Sequence, residues 1–345
     1  MSEYYNQANH GPFEAFDLGD FALAEGTTLR ACQLAYATHG TLNAAKDNAI
    51  LVTCWWSGTS KIMEQVYVAE GRALDPSKYF IIIVNQLGGG ISTSANNTAA
   101  PGGAARFPHV RISDDVRAQH RFLTEKFGIT QLALVFGGSM GAQQTYEWAV
   151  RYPDMVKRAA PLAGTAKVTD HSLLFGDTLA EAIRSDPGWA GGWYASEAEV
   201  HFGLRRVAAL MAVTAMAPAF FNTEMWRGMG FSSARDFRTN FLEGYFLPMD
   251  PNVLLTTLWK WQHADVTHGR GSLADVLGGI KAGVMVLPIS SDRMFPPSDC
   301  AREQAMIPGS EMRVIESKSG HLGLFALDPD YSEQIDRALK DLLAR

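Results

Sequence analysis

Two rhythms of hydrophobic positions alternate along the first half of the chain. Residues 28–38 switch between apolar and polar side chains with a period of two, which predicts a strand with one face in water. Residues 49–54, 79–84 and 283–290 are instead nearly unbroken apolar runs, which predicts strands buried on both faces, and the β-rich run 131–136 and residues 156–162 predict two strands more. A short apolar run at 21–23 and the segment 311–316 predict one strand more at each end of the series. Between the buried runs lie segments with helical period, at 114–127 and 143–151, and a last one at 332–343. A sheet that begins antiparallel and turns parallel, with helices between its strands, is an α/β fold.

From about residue 165 to 275 this alternation stops. The segment is rich in alanine, methionine and aromatic residues, with Leu204, Val207, Leu210, Met211 and Thr214 at helical spacing. It predicts a helical lid inserted between two parts of an α/β core, residues 1–164 and 276–345, and covering the C-terminal ends of the strands, where it can exclude water. Met211, Met216, Phe220, Phe221, Met225, Trp226 and Met229 either line an apolar channel there or pack helix on helix.

Composition narrows the function classes. With 345 residues, 47% of them hydrophobic and 19% charged, the chain can bury a substantial core. A net charge of −6 and no run of lysine or arginine argue against a nucleic-acid partner. No apolar run approaches the ~20 residues of a membrane-spanning helix, and the first ten residues lack a basic start followed by an apolar stretch, so neither membrane insertion nor export is expected. The cysteines, Cys32, Cys54 and Cys300, form no Cys-x-x-Cys pair; no metal or other cofactor is expected, and a reducing cytoplasm fits them best.

The chemistry gathers at residues 134–142. An apolar strand stops at Gly137 and Gly138, presents Ser139, and passes through Met140 and Gly141 straight into a helix. Gly-x-Ser-x-Gly between a strand and a helix is the pattern of a nucleophile elbow, whose small residues relieve crowding at a sharp turn. The Met140 amide then becomes a donor for an oxyanion. A second donor in such enzymes comes from a loop at the end of a neighbouring strand, which assigns the Trp56 amide, with Trp55 beside it facing the substrate; the same tryptophan side chains could equally pack a core edge. The three glycines at 88–90 have no Gly-Lys-Ser/Thr after them and read as a turn lining the site rather than a phosphate loop.

A serine hydroxyl needs a base, and the base needs a carboxylate. His321, flanked by glycine beyond the 311–316 strand, and Asp292, at the end of the 283–290 strand, complete the order Ser, Asp, His along the chain. The rival acid, Asp299, reads as the N-cap of the next helix.

These segments, with the runs 37–43, 85–88, 115–119, 146–154 and 186–194 and the pair Gly203–Leu204, resemble the homoserine transacetylase family of α/β-hydrolases over nearly the whole length. The resemblance implies the α/β-hydrolase fold, an acyl-serine intermediate and a homodimer formed through the lid. It also implies an arginine and a tyrosine in the lid and an aspartate after the histidine, which together hold homoserine. Here those positions are Ala208, Ala215 and Leu322. Methyl-bearing side chains cannot replace the partners of a desolvated zwitterion, although Arg205 or Arg206 could serve under a shifted register. The expectation is therefore an esterase acting on small, short-acyl esters such as acetates, with Leu322 on the substrate side. The alternative is an acyl-CoA-dependent O-acetyltransferase with another alcohol as acceptor.

Overall fold

A computed structural model describes residues 4–99 and 101–345 of the chain. Its strands are β1 (Glu14–Ala22), β2 (Thr28–His39), β3 (Ala49–Thr53), β4 (Phe80–Val84), β5 (Leu134–Gly138), β6 (Arg158–Leu162), β7 (Gly283–Val286) and β8 (Glu311–Met312). They form one sheet in the order β1-β2-β4-β3-β5-β6-β7-β8. The alternating strand β2 pairs antiparallel with both neighbours, and every pair from β4 to β8 is parallel.

The continuous apolar runs have the predicted cause. In β3, Ala49 and Leu51 join the hydrophobic cluster on one side of the sheet, and Ile50 and Val52 join the cluster on the other. In β4, Ile82 and Val84 face the first cluster and Ile81 and Ile83 the second. Each such side chain gains about 1.5–3 kcal/mol from leaving water, so a polar residue at any of these positions would forfeit a large part of that gain.

Three strands differ in extent from their sequence pattern. β1 begins at Glu14, well before the expected 21–23, because register shifts on both sides of Gly19 break the alternation that would reveal it. β7 ends at Val286, two residues before Pro288, which has no N–H for a ladder. β8 is only Glu311–Met312, and an isolated bridge between Ile289 and Ile315 continues the pairing beyond it.

Between β6 and β7 the chain is helical, with Asp170–Arg184, His201–Thr214 and Pro251–Gln262 as its longest helices. Among the described residues no helix is long and apolar enough to cross a membrane. Where the chain leaves β6 for these helices, the amides of Ala166 and Lys167 donate to the buried carboxylate of Glu303, at 2.5 and 3.2 Å. Glu303 lies on helix Pro297–Gln304, so this contact ties the root of the lid to the second part of the core. Burial pushes its carboxyl up to about 7, against the pull of the two amides.

A carboxyl raised in the folded state stabilises the protein most below its unfolded value near 4.5, and that contribution disappears as pH rises through about 7. Thermal unfolding followed from pH 4 to 8 should therefore show a fall in stability of up to about 3 kcal/mol attributable to this group. Glu303→Gln should flatten that part of the profile; an unchanged slope in the variant would rule the assignment out.

Candidate active site

The site begins with a backbone constraint. At the junction of β5 and helix Met140–Arg151, Ser139 adopts φ 57° and ψ −121°, a region that ordinary residues avoid at a cost of about 1–3 kcal/mol. The turn is possible because its neighbours lack side chains. A Cβ on Gly137 would lie 2.1 Å from the Thr53 hydroxyl, and one on Gly141 would lie 2.5 Å from the Thr53 carbonyl. Through these gaps the end of β3 meets the elbow, and the Thr53 hydroxyl donates to the Gly141 carbonyl at 2.8 Å.

The turn points the Ser139 hydroxyl at a histidine. His321 Nε2 lies 2.9 Å from Ser139 Oγ, and His321 Nδ1 lies 2.7 Å from Asp292 Oδ2. All three residues are buried. The other Asp292 oxygen accepts from the amides of Met294 and Phe295 at 2.8 and 3.0 Å, so the carboxylate cannot rotate away from the ring. His321 is fixed through its backbone as well, since its N–H donates to the Ala215 carbonyl at 2.7 Å. Gly320 before it has φ +65°, and a Cβ there would press to 2.4 Å on that same carbonyl. A serine, an imidazole and a carboxylate in this chain of contacts can relay a proton away from the hydroxyl as it attacks.

Above the serine is a narrow cavity of about 30 Å³. Trp55, Trp56, Ser57 and Ser139 line it from the core, Met211, Phe241, Leu242, Tyr245, Phe246 and Trp261 from the lid, and Met294, His321, Leu322, Leu324 and Phe325 from the last part of the chain. His321 is the only ionisable group in that set apart from the Tyr245 phenol, and burial raises the phenol above the usual tyrosine range. A larger cleft of about 640 Å³ between residues 95–104 and 192–198 contains none of the three relay residues.

Of the residues singled out by sequence, Trp55, Trp56 and Leu322 line the cavity, and Met140 opens the helix behind Ser139. Both readings of the tryptophans hold, because their rings also pack. Trp56 donates its indole N–H to the Leu254 carbonyl at 3.1 Å, and the Trp55 ring lies 5.2 Å from that of Phe325. Ala208 and Ala215 are buried in the lid but do not reach the cavity. Arg205 is directed to Glu243 at 3.4 Å and Arg206 to Ser185 at 3.0 Å, both exposed, so neither guanidinium faces the serine.

Several expectations are corrected. Asp299 does not cap its helix; Pro296 and Pro297 start the helix, and Asp299 sits in the first turn, 3.4 Å from Arg302. The turn at 88–90 does not line the cavity, because Gly88 is packed against Thr256 and Gly90 against Tyr5. Of the methionines and aromatics for which a channel or helix packing was open, Met211 reaches the cavity, and Phe220 and Phe221 take the packing alternative against Phe237. Most of the lid's contribution, Phe241, Leu242, Tyr245 and Phe246, comes from a π-helical turn at Arg238–Glu243 and the turn after it. Widened helical turns recur at functional sites, but the sequence shows them only as a cluster of aromatics.

The chain matches the model of the alpha/beta hydrolase fold family over residues 58–326, and it belongs to that family. It is 54% identical to an ethyl acetate hydrolase of Pseudomonas veronii, over 100% of this chain and 99% of that protein. The solved structure of an acetylester hydrolase from Corynebacterium glutamicum superposes with a TM-score of 0.98 at 51% identity, covering 100% of this chain and 99% of that one. A homoserine O-acetyltransferase of Leifsonia xyli is 31% identical over 93% of this chain and 87% of that protein, so the resemblance read from the motifs holds.

The elbow's tolerance for side chains is testable. Gly141→Ala should destabilise the protein by about 2–3 kcal/mol, since the new methyl meets backbone rather than a flexible side chain. Urea unfolding would measure this, and a loss below about 0.5 kcal/mol would show that β3 can retreat from the elbow at no cost.

Proposed function

We propose that the protein is a carboxylic ester hydrolase that cleaves small acetate esters through an acyl-serine on Ser139. The observation that carries this reading is a serine–histidine–aspartate relay opening into a cavity lined by no lysine, arginine, aspartate or glutamate. An uncharged ester loses little on entering such a space, whereas an amino-acid zwitterion would shed its hydration without ionic partners. The kinship with an ethyl acetate hydrolase and an acetylester hydrolase supports the same substrate class.

In this reading Ser139 Oγ attacks the ester carbonyl while His321 Nε2 takes the hydroxyl proton. Asp292 holds the proton on Nδ1 and stabilises the imidazolium. The amides of Met140 and Trp56 receive the oxyanion, each worth on the order of 10²–10³ in rate. His321 then protonates the departing alcohol, and water attacks the acyl-serine by the same relay, releasing the acid. Trp55 and Leu322 flank the bound ester. The three buried thiols fit the reducing cytoplasm expected from sequence.

The homodimer implied by the transacetylase resemblance also finds support. Helices Asp170–Arg184 and His201–Thr214 leave Leu174, Phe202 and Val213 more than half exposed, at 64%, 55% and 65%. Exposed apolar side chains of this size on adjoining lid helices fit a second copy of the chain.

Wild-type protein should turn over 4-nitrophenyl acetate steadily, and Ser139→Ala should remove at least about 10³ of the rate. Rates should fall from acetate to hexanoate esters, because the cavity is narrow, and homoserine should not divert the acyl group. Absence of acetate turnover by the wild type, or transfer to homoserine outrunning hydrolysis, would refute the reading. Light scattering should give about twice the 37.7 kDa chain mass, and Phe202→Asp combined with Val213→Asp should halve it; a monomeric wild type would refute the dimer.

A further inference from the structure

The loop that carries Trp56 is held from behind by a side-chain amide whose direction is fixed. Lys260, on helix Pro251–Gln262, is completely buried, and its ammonium contacts Gln86 Oε1 at 3.2 Å, the Leu87 carbonyl at 2.6 Å and the Asp115 carboxylate. An ammonium has three protons and no acceptor, so each partner must present an oxygen. This places the oxygen of the Gln86 amide toward Lys260. Its NH₂ faces the other way, to the carbonyls of Trp55 at 2.9 Å and Trp56 at 3.3 Å. Asp115 also accepts from the Leu87 amide at 2.8 Å, which ties the residue after Gln86 to the same buried pair. Burial lowers the Lys260 ammonium below the usual lysine range and raises the Asp115 carboxyl, and the contact between them pulls each back.

The Trp55 carbonyl and the Trp56 N–H are opposite ends of one planar peptide unit. With the carbonyl drawn to Gln86, and accepting from the Gly58 amide at 3.1 Å as well, the N–H is turned to the other side of the loop. Among the described residues that N–H has no hydrogen-bond partner, and Trp56 lines the cavity with Ser139. The carbonyl one residue earlier, on Cys54, is held in turn by the Gln144 amide at 3.3 Å. We propose that Gln86, oriented by Lys260 and Asp115, is a positioning residue that keeps the Trp55–Trp56 peptide unit with its N–H toward the reacting carbonyl. The inference rests on the hydrolase reading and deepens its oxyanion assignment. Deprived of the Gln86 donor, the unit keeps only the turn contact from the Gly58 amide, at 3.1 Å, and is less restrained against presenting a carbonyl where negative charge develops.

Gln86→Leu and the near-isosteric Gln86→Glu both remove the donor. On 4-nitrophenyl acetate each should lower kcat on the order of 10²-fold, with KM moving less than about threefold. Affinity for a trifluoromethyl ketone, which forms a tetrahedral oxyanion on the serine, should fall in parallel with kcat. Lys260→Met, which lets the Gln86 amide turn over, should lose part of kcat in the same KM-sparing way. If Gln86→Leu does not fold, the other two variants decide. Retention of kcat within about threefold in the folded glutamine variants overturns the inference, whatever their melting temperature, and so does a loss of kcat with ketone affinity unchanged. A wild type that does not hydrolyse the ester overturns the hydrolase reading and this inference with it, so the two failures are distinguishable.

Discussion

Everything in the site depends on how closely β3 approaches the elbow. The Thr53 oxygens occupy the space that side chains on residues 137 and 141 would need. Because the Thr53 carbonyl meets Gly141 and the short Thr53 side chain meets Gly137, the contact leaves little slack for the strand to slide, and interiors packed at such density transmit rather than absorb small shifts. Two things follow from the single approach. Ser139 is forced into its strained turn facing His321, and the loop leaving β3 at Cys54 is brought over the same spot. The nucleophile and the proposed oxyanion loop are thus placed by one interface, not by two independent ones.

The lid contributes the character of the cavity rather than its chemistry. Phe241, Leu242, Tyr245, Phe246 and Trp261 enclose the serine, and none brings a charge. The two nearby arginines of helix His201–Thr214 are turned outward, Arg205 satisfied by Glu243 and Arg206 by Ser185. A guanidinium so paired gains nothing by entering an apolar cavity. The difference from a transacetylase site is therefore physical before it is evolutionary: the same relay under a roof without ionic anchors favours neutral esters. The lid also acts on the relay itself, because the Ala215 carbonyl holds the His321 backbone.

Much of this was legible in the chain. The most buried strands announced themselves as apolar runs, and Ser139, Asp292 and His321 each lie just past a predicted strand, so order and position sufficed to bring them together. What stayed hidden has common causes. β1 was obscured by the irregularity around Gly19, since a bulge shifts which face each residue occupies. Whether Met216 through Met229 roof the cavity or pack helix on helix stayed open, because amphipathic spacing reveals that a residue is buried but not which neighbour it is buried against. Phe241 and Leu242 face the serine only through a widened helical turn, which no simple period encodes. The turn at 88–90 was read as lining the site; its neighbour Gln86 instead works from behind the loop.

Buried polar groups are where sequence reading fails most and where the structure says most. Lys260 and Asp115 lie more than a hundred residues apart, and although Asp115 opens one of the runs that carry the family resemblance, nothing in that run points to Lys260. A fully buried ion pair is weak evidence for stability, since well-packed apolar side chains of similar volume often do as well or better. What an apolar pair could not do is tell the two ends of a neighbouring amide apart. An ammonium can, because it accepts nothing. The cost of keeping Lys260 and Asp115 out of water thus has a counterpart in direction: Gln86 can face only one way, and through it the peptide unit before Trp56 can as well. Orientation of a backbone dipole, rather than added stability, is the physical reason for a fully buried ion pair behind the loop that carries Trp56.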